Sequence, residues 1–470
     1  MKKIVRFVFF LSLVSSLSVA YSEAPHRTAV GPGIWHHEIY LTEGPWAIHI
    51  LEIDLTNHYV KIETAKAKEQ LQGRTPTSEI ARSNSRSGHR VVAAVNGDFF
   101  SSEGVPVGAQ ISDGVLVSSP VQRSVFGITA DKEPFISIVD LNAKLFTRRN
   151  IPHQIHVVNS SRRENQLILY NSFRGKRTGT NQWGTEVIVK LSNRFMVNDT
   201  IHGIVTEIDS VSGNNSVEEE QIVLSGHNEA GNFLKKNMRI QDSLKIIIGV
   251  PPVTAVIGSM IGGLPRIIRD GNRSVEYARE KIPDKFATDR HPRTAVGISK
   301  DEKKMYFVTV DGRQPGFSAG MSLDELSGFM LNLGVYQGMN LDGGGSTTMV
   351  INNKVVNRPS DATGERPVAN ALLVVSTAPV GKLTYLRIYP ESITLLPGQT
   401  CLFKVQGFDK YHNPVPLNGK KIHWSCDQKI GTVDQTGKFR ANANTDYGYV
   451  HVQFGELAHS AKVRVYHEID

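Results

Sequence analysis

Apolar residues recur along the chain in patterns that predict strands more often than helices. Alternation of apolar and polar positions over residues 46–55 and 59–64 predicts two strands, and the apolar run at residues 371–376 predicts a buried one. Residues 77–87 have the pattern of a short helix that ends at Gly88. Strands and helices are mixed without regular alternation, which predicts an α+β fold with a mixed sheet rather than a doubly wound parallel sheet.

The clearest helix signal begins at Ser322. Ser322-Leu-Asp-Glu325 has the sequence of a capping box, in which the serine and glutamate side chains satisfy free N–H groups of the first turn. Apolar residues then recur at helical spacing up to Leu333, and Gly334 ends the pattern. The sequence therefore predicts a helix from residue 323 to residue 333.

The C-terminal part of the chain differs from the rest in composition and in the spacing of its apolar runs. Residues 377–383 have the composition of a linker, and residues 384–470 contain short alternating apolar runs separated by Pro-Gly, Asn-Pro and Thr-Gly turns. This spacing predicts a small β-sandwich, and the segment resembles bacterial immunoglobulin-like modules. We expect it to serve in attachment to the cell envelope or in spacing. Residues 25–376 are left as a larger, separate domain.

The first 24 residues follow the plan of a secretory signal peptide. Lys2, Lys3 and Arg6 precede an apolar run, and small residues ending at Ala20 offer a cleavage site. The apolar run is shorter than the roughly 20 residues needed to span a bilayer. We therefore expect a protein that is secreted or held in the cell envelope.

The distribution of charge indicates which partners the protein can bind, and the cysteine content indicates whether it can form a disulfide. The formal net charge is +8, but lysine and arginine are scattered, and no basic stripe interleaved with aromatic residues predicts nucleic-acid binding. The chain has two cysteines, Cys401 and Cys426. An exported protein permits a disulfide between them, and two separate buried thiols are an equal alternative.

Three apolar runs end in asparagine or aspartate beside glycine. These ends carry Asn96 and Asp98, Asp311, and Asn340 and Asp342. Strands can hold polar side chains rigidly at their ends, while glycine lets a ligand approach the backbone. We therefore expect the three ends to converge on one cleft, although each alone is also explained as an ordinary turn.

The last of these ends continues into a glycine-rich loop that predicts an anion site. Successive N–H groups in such a loop can form a nest for an anion, and hydroxyl groups add further donors. The loop lacks the Gly-Lys-Ser/Thr of a P-loop and the closing glycine of a nucleophile elbow. Arginine presents a planar fork that suits two phosphate oxygens. The predicted phosphate ligands are Gly343, Gly344, Gly345, Ser346, Thr347, Arg293 and Arg313.

The sequence supports a metal site less than it supports an anion site. No His-x-x-x-His or cysteine pair forms a zinc signature. Asp98, Asp311 and Asp342 leave open a carboxylate site for Ca²⁺ or Mg²⁺, so we expect no cofactor and keep a divalent cation as the alternative. His291, which precedes a proline, is either a base or, more simply, a structural loop histidine.

Five motifs in order resemble the phosphodiester glycosidase domain family over residues 46–376. The resemblance implies an α+β catalytic domain that acts on the bond between a sugar C1 and a phosphate oxygen. It does not identify the sugar. The motifs are Asn96-Gly-Asp-Phe-Phe100, Arg290-His-Pro-Arg-Thr294, Val310-Asp-Gly-Arg313, Asn340-Leu-Asp-Gly-Gly-Gly-Ser-Thr347 and Arg366-Pro-Val-Ala-Asn370.

The chemistry of this bond sets the roles that the residues must fill. The departing phosphate is a weak base, so a strong general acid is needed less than in ordinary glycosidases. We predict that Asp98, Asp311 and Asp342 act as nucleophile, base or electrostatic stabiliser of a sugar-1-phosphodiester or another phosphate-containing glycan. Two alternatives remain: a non-catalytic protein that binds anionic glycan, and a metal-assisted phosphodiesterase. Further candidates for sugar or supporting contacts are Asn96, Arg366, Asn370 and Gly263.

Overall fold

The computed structural model describes residues 26–443 and 446–466. Strands make up 47% of the structure and helices 9%, so the predicted α+β fold with mixed sheets is confirmed, with much more strand than helix. The predicted signal peptide lies outside the described residues. Within residues 26–443 and 446–466, no helix is long and apolar enough to cross a membrane.

The first sheet, sheet A, has eight strands and contributes two of the predicted polar strand ends. Its pairing is antiparallel, with Arg293 opposite Val310 and Ala295 opposite Asn340. The strands, in spatial order, are His26–Gly31, Ile34–Leu41, Trp46–Asp54, Lys304–Val310, Arg293–Ser299, Val335–Asn340, Arg266–Arg269 and Asn272–Arg273.

Two five-stranded sheets pack near sheet A. Sheet B contributes the third polar strand end, at Asn96, and sheet C brings two glycine-containing segments toward it. The strands of sheet B are Lys354–Val355, Met349–Ile351, Arg90–Asn96, Asn370–Ser376 and Val60–Lys66. Those of sheet C are Val115–Ser118, Gln110–Ser112, Ile257–Gly262, Ser124–Thr129 and Pro134–Ile138.

A second eight-stranded sheet, sheet D, forms most of the middle of the chain. It includes one parallel pair, between residues 157–158 and 167–170. Its strands are Pro152–Ile155, Asn142–Phe146, Ser243–Gly249, Thr200–Asp209, Thr185–Leu191, Gln221–Gly226, Leu167–Tyr170 and Val157–Val158.

The helices are short and cover the outer faces of the sheets. The helix predicted from the capping box runs from Leu323 to Asn332, and both reciprocal hydrogen bonds of the box are present. The helix predicted at residues 77–87 ends four residues earlier, at Ser83. The α-helices are Thr77–Ser83, Glu229–Asn237, Asp284–Thr288 and Leu323–Asn332, and the 3₁₀ helices are Ala67–Glu69, Ser172–Arg174 and Gly344–Ser346.

Burial of apolar side chains explains how the sheets are layered. One core joins sheets A, B and C through residues such as Phe307, Val95 and Phe126, all of which are fully buried. A second core joins sheets C and D. Smaller cores lie between sheet A and the Leu323–Asn332 helix and between sheet B and the Thr77–Ser83 helix. Dense packing on both sides of sheets A and B fixes the strand ends at which the polar residues lie.

The C-terminal segment builds a hydrophobic core of its own around Trp424, Phe403 and Phe439. Its three small sheets match the predicted short strands, while the immunoglobulin-like assignment remains a prediction. Cys401 and Cys426 are free thiols, which decides the question that the sequence left open. The strands are Tyr385–Tyr389, Ser392–Leu395, Thr400–Leu402, Lys404–Phe408, Pro414–Val415, Ile422–Cys426, Gly431–Val433, Lys438–Ala441, Asp446–Phe454 and Leu457–Val465.

Candidate active site

The predicted strand ends meet where sheets A and B adjoin. The backbone that follows the strand Val335–Asn340 runs between the segment after Asn96 and residues 292–294. Leu341 N–H donates to Thr294 O at 2.8 Å, and Asp342 N–H donates to Gly97 O at 2.9 Å. Gly344 N–H then donates to Pro292 O at 2.9 Å. The expected convergence of distant segments is therefore present in the backbone itself.

Asn96 joins these segments through its side chain. Its amide donates to Asp342 O at 2.7 Å. Its oxygen accepts from Thr294 Oγ1 at 2.7 Å and from Thr348 N at 3.1 Å. Asn96 is completely buried, so it supports the site and does not reach the solvent side where a sugar would bind.

Asp98 is a buried carboxyl with one oxygen unpartnered. Oδ2 accepts from Gly108 N at 2.6 Å, whereas the buried Oδ1 has no hydrogen-bond partner in the described residues. Burial raises the pKa of Asp98 to about 7, and the nearby Asp342 raises it further, while hydrogen bonds and Arg123 oppose the rise. Asp98 therefore exchanges its proton near neutral pH.

Glycine on both sides allows this close packing around Asp98. A Cβ on Gly108 or Gly262 would lie under 3.0 Å from Asp98 Oδ2. Asn370 completes the pocket, because its side-chain oxygen accepts from Asp98 N at 2.8 Å and its amide donates to Gln110 Oε1 at 2.9 Å. Like Asn96, Asn370 is fully buried and supports the carboxylate.

Asp342 is the more accessible of the two neighbouring carboxylates. Burial raises the pKa of Asp342 to about 6, and Ser346, Arg366 and Gly343 N oppose the rise. Asp342 is half-buried, so part of its surface is open to solvent, whereas Asp98 is only 2% exposed. Asp342 is thus the carboxylate that a bound ligand can reach most directly.

Asp311 lies at the end of its strand, but both of its carboxylate oxygens are occupied. Oδ1 accepts from Asn357 Nδ2 at 2.9 Å, and Oδ2 accepts from Arg358 N at 2.9 Å. Asn357 also donates to Thr347 O at 3.1 Å. The residue is 1% exposed, and burial raises its pKa to about 6. In this geometry Asp311 anchors the chain at residues 357–358, and its predicted catalytic role stays a prediction.

Arg293 also differs from its predicted role. It is 1% exposed and donates from Nε to Met321 O at 2.9 Å. Nη2 donates to Phe286 O at 2.8 Å and to Asp289 O at 2.9 Å. Because these donors are spent on backbone carbonyls, Arg293 holds neighbouring loops together, which corrects its assignment to phosphate.

The glycine-rich loop at residues 343–347, called the glycine loop below, lies beside two guanidinium groups other than that of Arg293. A Cβ on Gly344 would lie 3.1 Å from Arg313 Nη2, and a Cβ on Gly345 would lie under 3.0 Å from Arg366 Nη2. Arg313 is exposed, and Arg366 has a side chain 40% exposed. Two guanidinium groups beside consecutive glycines make this loop a candidate site for an anion, although Arg366 is also paired with Asp361.

The predicted nest of N–H groups does not form in this loop. Gly344 N–H is used by Pro292 O, and the N–H groups of Ser346 and Thr347 donate to Gly343 O and Gly344 O, because the loop closes into a 3₁₀ turn. Thr347 Oγ1 is buried and has no hydrogen-bond partner in the described residues, whereas the Ser346 hydroxyl faces the Asp342 carboxylate. The candidate anion site therefore depends on side chains more than on the backbone.

The packing also describes the surroundings of Gly263 and His291. Gly263 is buried, and a Cβ there would lie 2.7 Å from Asn340 O, so its close approach is to a neighbouring strand rather than to a ligand. His291 is half-buried, and its Nδ1 lies 3.3 Å from Arg313 Nη2. Burial lowers the pKa of His291, and Arg293 and Arg313 lower it further, so the neutral ring accepts from Arg313.

The carboxylates do not gather as a metal centre. Among residues 26–443 and 446–466, no group of three or more histidine, cysteine, aspartate or glutamate side chains is placed to hold a metal ion. Asp311 points its oxygens at Asn357 and Arg358, away from the pair formed by Asp98 and Asp342. The three-aspartate site for Ca²⁺ or Mg²⁺ considered from the sequence is therefore not formed.

Two functional candidates were missed by the sequence patterns. Arg123 lowers the pKa of Asp98 by its charge, and Asp361 forms a two-point ion pair with Arg366 at 2.8 Å and 3.0 Å. Neither residue lies at a strand end or in a glycine-rich motif. Only the five-residue spacing between Asp361 and Arg366 offered a signal, and that spacing is too common to carry a prediction.

Comparison with known proteins bears on the domain that carries these residues. The sequence model of the phosphodiester glycosidase family matches residues 185–375. That range includes both arginines of the anion site and Asp342, whereas Asn96 and Asp98 precede it and reach it through hydrogen bonds.

The individual similarities are partial. N-acetylglucosamine-1-phosphodiester alpha-N-acetylglucosaminidase from Mus musculus is 31% identical over 111 residues, which cover 22% of this chain and 21% of that protein. The protein of the same name from Bos taurus is 36% identical over 111 residues, covering 22% and 20%. The chain thus matches about a fifth of the length of these curated relatives.

One solved structure has a similar fold although its sequence identity to this chain is low. A hypothetical protein from Synechocystis aligns with a TM-score of 0.57 at 18% identity, over 76% of this chain and 64% of that one. At this identity the likeness concerns the fold alone. By sequence, residues 185–375, which are less than half of the chain, are similar to the phosphodiester glycosidase domain family.

Proposed function

We propose that this protein is a secreted glycosidase that hydrolyses the C1–O bond of a sugar-1-phosphodiester in envelope or extracellular glycans. The observation that carries the proposal is the placement of Arg313 and Arg366 beside the glycine loop that begins at Asp342. An anion held by the two guanidinium groups lies next to a carboxylate. A phosphate attached to a sugar ring meets both requirements.

The guanidinium groups act on the leaving group. When the C1–O bond breaks, negative charge grows on the phosphate oxygen, and cations placed beforehand stabilise that charge without reorganisation. Arg313 is oriented by His291, and Arg366 by Asp361. Because the phosphate departs easily, this stabilisation replaces much of the work of a general acid.

The carboxylates act on the sugar. Asp342 is the more accessible, and we assign it to the positive charge that develops at C1, either as nucleophile or as the base that activates water. Asp98 stands behind it with a pKa of about 7. A protonated Asp98 avoids two adjacent negative charges and leaves Asp342 ionised for its role.

A phenylalanine at the edge of the site suits the apolar face of a sugar. Phe99 is half-buried, and its ring centroid lies 5.9 Å from that of Phe286. Phe100 instead packs against the core beside sheet B. We assign stacking on the sugar to Phe99 and packing to Phe100. The names of the mammalian relatives make N-acetylglucosamine the first sugar to test.

The decisive experiment locates the broken bond. The purified protein is incubated with a methyl or aryl N-acetylglucosamine-1-phosphodiester in ¹⁸O water, and the products are analysed by mass spectrometry. Cleavage of C1–O places the label in the free sugar. Label in the phosphate monoester would identify a phosphodiesterase, and no turnover of any sugar-1-phosphodiester would favour a binding protein.

Asp342→Asn provides the residue-level test. Loss of the carboxylate is expected to lower kcat about 10²- to 10⁴-fold, the usual range for a group that transfers a proton or stabilises charge in the transition state. Asp324→Asn is the matched control, because Asp324 is an exposed carboxylate on the Leu323–Asn332 helix that pairs with Arg273. A fully active Asp342→Asn protein would contradict the assignment.

A further inference from the structure

Asp361 occupies part of the anion site from within the protein. Its two carboxylate oxygens accept from Arg366 Nε at 2.8 Å and Nη2 at 3.0 Å. The same carboxylate packs against the glycine loop, since a Cβ on Gly345 would lie under 3.0 Å from Asp361 Oδ1. Asp361 thus adds a negative charge at the point where a substrate phosphate would approach Arg366.

Partial exposure weakens the contact as a stabilising interaction. The side chains of Arg366 and Asp361 are 40% and 28% exposed, so solvent screening reduces the contribution of their two-point ion pair to folding. The turn that presents Asp361 is closed independently by the Gly364 N–H, which donates to Asp361 O at 2.9 Å. The role of the Asp361 carboxylate therefore lies in ligand binding more than in folding.

The substrate and product of the proposed reaction differ in charge. A phosphodiester carries one negative charge, whereas the phosphate monoester released by C1–O cleavage carries nearly two above its second pKa of roughly 6. Arg313 and Arg366 attract both anions, and a carboxylate beside Arg366 repels the doubly charged one twice as strongly. The structure thus contains a means of telling the two apart.

Resting on the proposed function, we infer that Asp361 is a specificity-determining residue that makes the site favour the singly charged phosphodiester over the doubly charged monoester. The repulsion lowers product affinity and so promotes release of the phosphate monoester after each turnover. Arg366 keeps its orientation because two hydrogen bonds fix the plane of its guanidinium group.

The test measures binding without catalysis. Isothermal titration calorimetry at about pH 8 compares dimethyl phosphate, a single anion, with methyl phosphate, which is almost fully a double anion there. Asp361→Asn retains the size of the side chain and removes its charge. Because the repulsion free energy scales with ligand charge, a gain of about threefold for dimethyl phosphate corresponds to about tenfold for methyl phosphate.

Each outcome has a distinct meaning. A larger gain for methyl phosphate, together with weaker inhibition of the wild-type enzyme by methyl phosphate than of the variant, supports the inference. Equal changes for both anions, or a loss for both, would overturn it and leave Asp361 with orientation of Arg366 alone. If the wild type binds neither anion and binds no sugar-1-phosphodiester, the proposed function itself fails. Asp324→Asn serves as the control and should change neither affinity.

Discussion

At the scale of single residues, Asp98 has the most unusual ionisation in the site. Its pKa lies at about 7 instead of 3.8 because the carboxyl is buried. A group with a raised pKa binds its proton more tightly in the folded protein, so the free energy of unfolding falls as the pH rises from about 4 to about 7. The buried, unpartnered Oδ1 explains why burial outweighs the hydrogen bond from Gly108.

Asp98→Asn is therefore expected to flatten the dependence of stability on pH. Between about pH 4 and about pH 7, the melting temperature of the variant should fall less steeply with pH, or rise more steeply, than that of the wild type. The slope will not vanish, because burial also raises the pKa values of Asp311 and Asp342. Thermal unfolding of both proteins and of Asp324→Asn, which should keep the wild-type slope, provides the measurement. Identical slopes for wild type and Asp98→Asn would count against the raised pKa.

Residue roles were predictable from the sequence only in part. The strand-end pattern brought Asn96, Asp98 and Asp342 into one place, since a strand fixes where its last side chains lie. It could not distinguish Asp342 from Asp311, because the partners of Asp311 follow it by 46 and 47 positions. Burial and long-range hydrogen bonding, which decide these roles, are properties of the assembled sheets.

At the scale of elements, two neighbouring positions of the glycine loop require glycine for different reasons. Gly344 has a φ of +61°, whereas Gly345 is limited only by the ion pair packed against it. Gly345→Ala should displace the ends of two flexible, partly exposed side chains. Stability should thus remain close to that of the wild type, while misplacement of Arg366 lowers kcat/KM about tenfold to a hundredfold.

Gly258→Ala is the matched control for this change. Its added methyl group would meet no atom closer than 3.7 Å, and the residue lies in sheet C. Both variants should unfold at nearly the wild-type temperature, and only Gly345→Ala should lose activity. Full activity of Gly345→Ala would mean that Arg366 does not need its present position.

The segment at residues 357–366 is the second element that defines the site. Asp311 holds its beginning through Asn357 and Arg358, and its end carries Asp361 and Arg366. Asp311→Asn and Asn357→Ala should each lower kcat/KM by loosening this segment. Because both changes break one connection, the double variant should be little worse than either single variant, with a coupling of about 1 kcal/mol.

Two measurements distinguish anchoring from catalysis at Asp311. Hydrogen exchange of residues 358–366 should accelerate in both single variants, an effect that the loss of a catalytic carboxylate would not produce. A strictly additive double variant with unchanged exchange would instead return Asp311 to the chemistry.

At the scale of the whole molecule, local signals predicted the elements better than their assembly. The capping box gave the helix Leu323–Asn332, and alternation gave the strand Trp46–Asp54 almost to the residue. The sheets join segments far apart in the chain, such as Trp46–Asp54 with Lys304–Val310. Such pairing depends on side-chain burial between layers, which periodicity alone does not encode.

One strand connects the C-terminal segment to the site. Arg90 begins it and donates from Nε to Asn413 Oδ1 at 3.0 Å and from Nη2 to His412 O at 3.2 Å. Asn96 ends it, about 20 Å away at the usual rise per residue. The C-terminal contact and the candidate active site therefore lie at opposite ends of a buried strand.

Arg90→Met should uncouple stability from activity. Loss of the guanidinium leaves the contacts with the buried Asn413 and the half-buried His412 unmade, so the melting temperature should fall and proteolysis within residues 377–383 should accelerate. Arg82→Met, which removes an exposed arginine paired with Glu79, should change neither. The value of kcat/KM measured below the unfolding transition should stay at the wild-type level, because the packed middle of the strand still fixes Asn96. A parallel loss of activity would show instead that the C-terminal segment helps to shape the site.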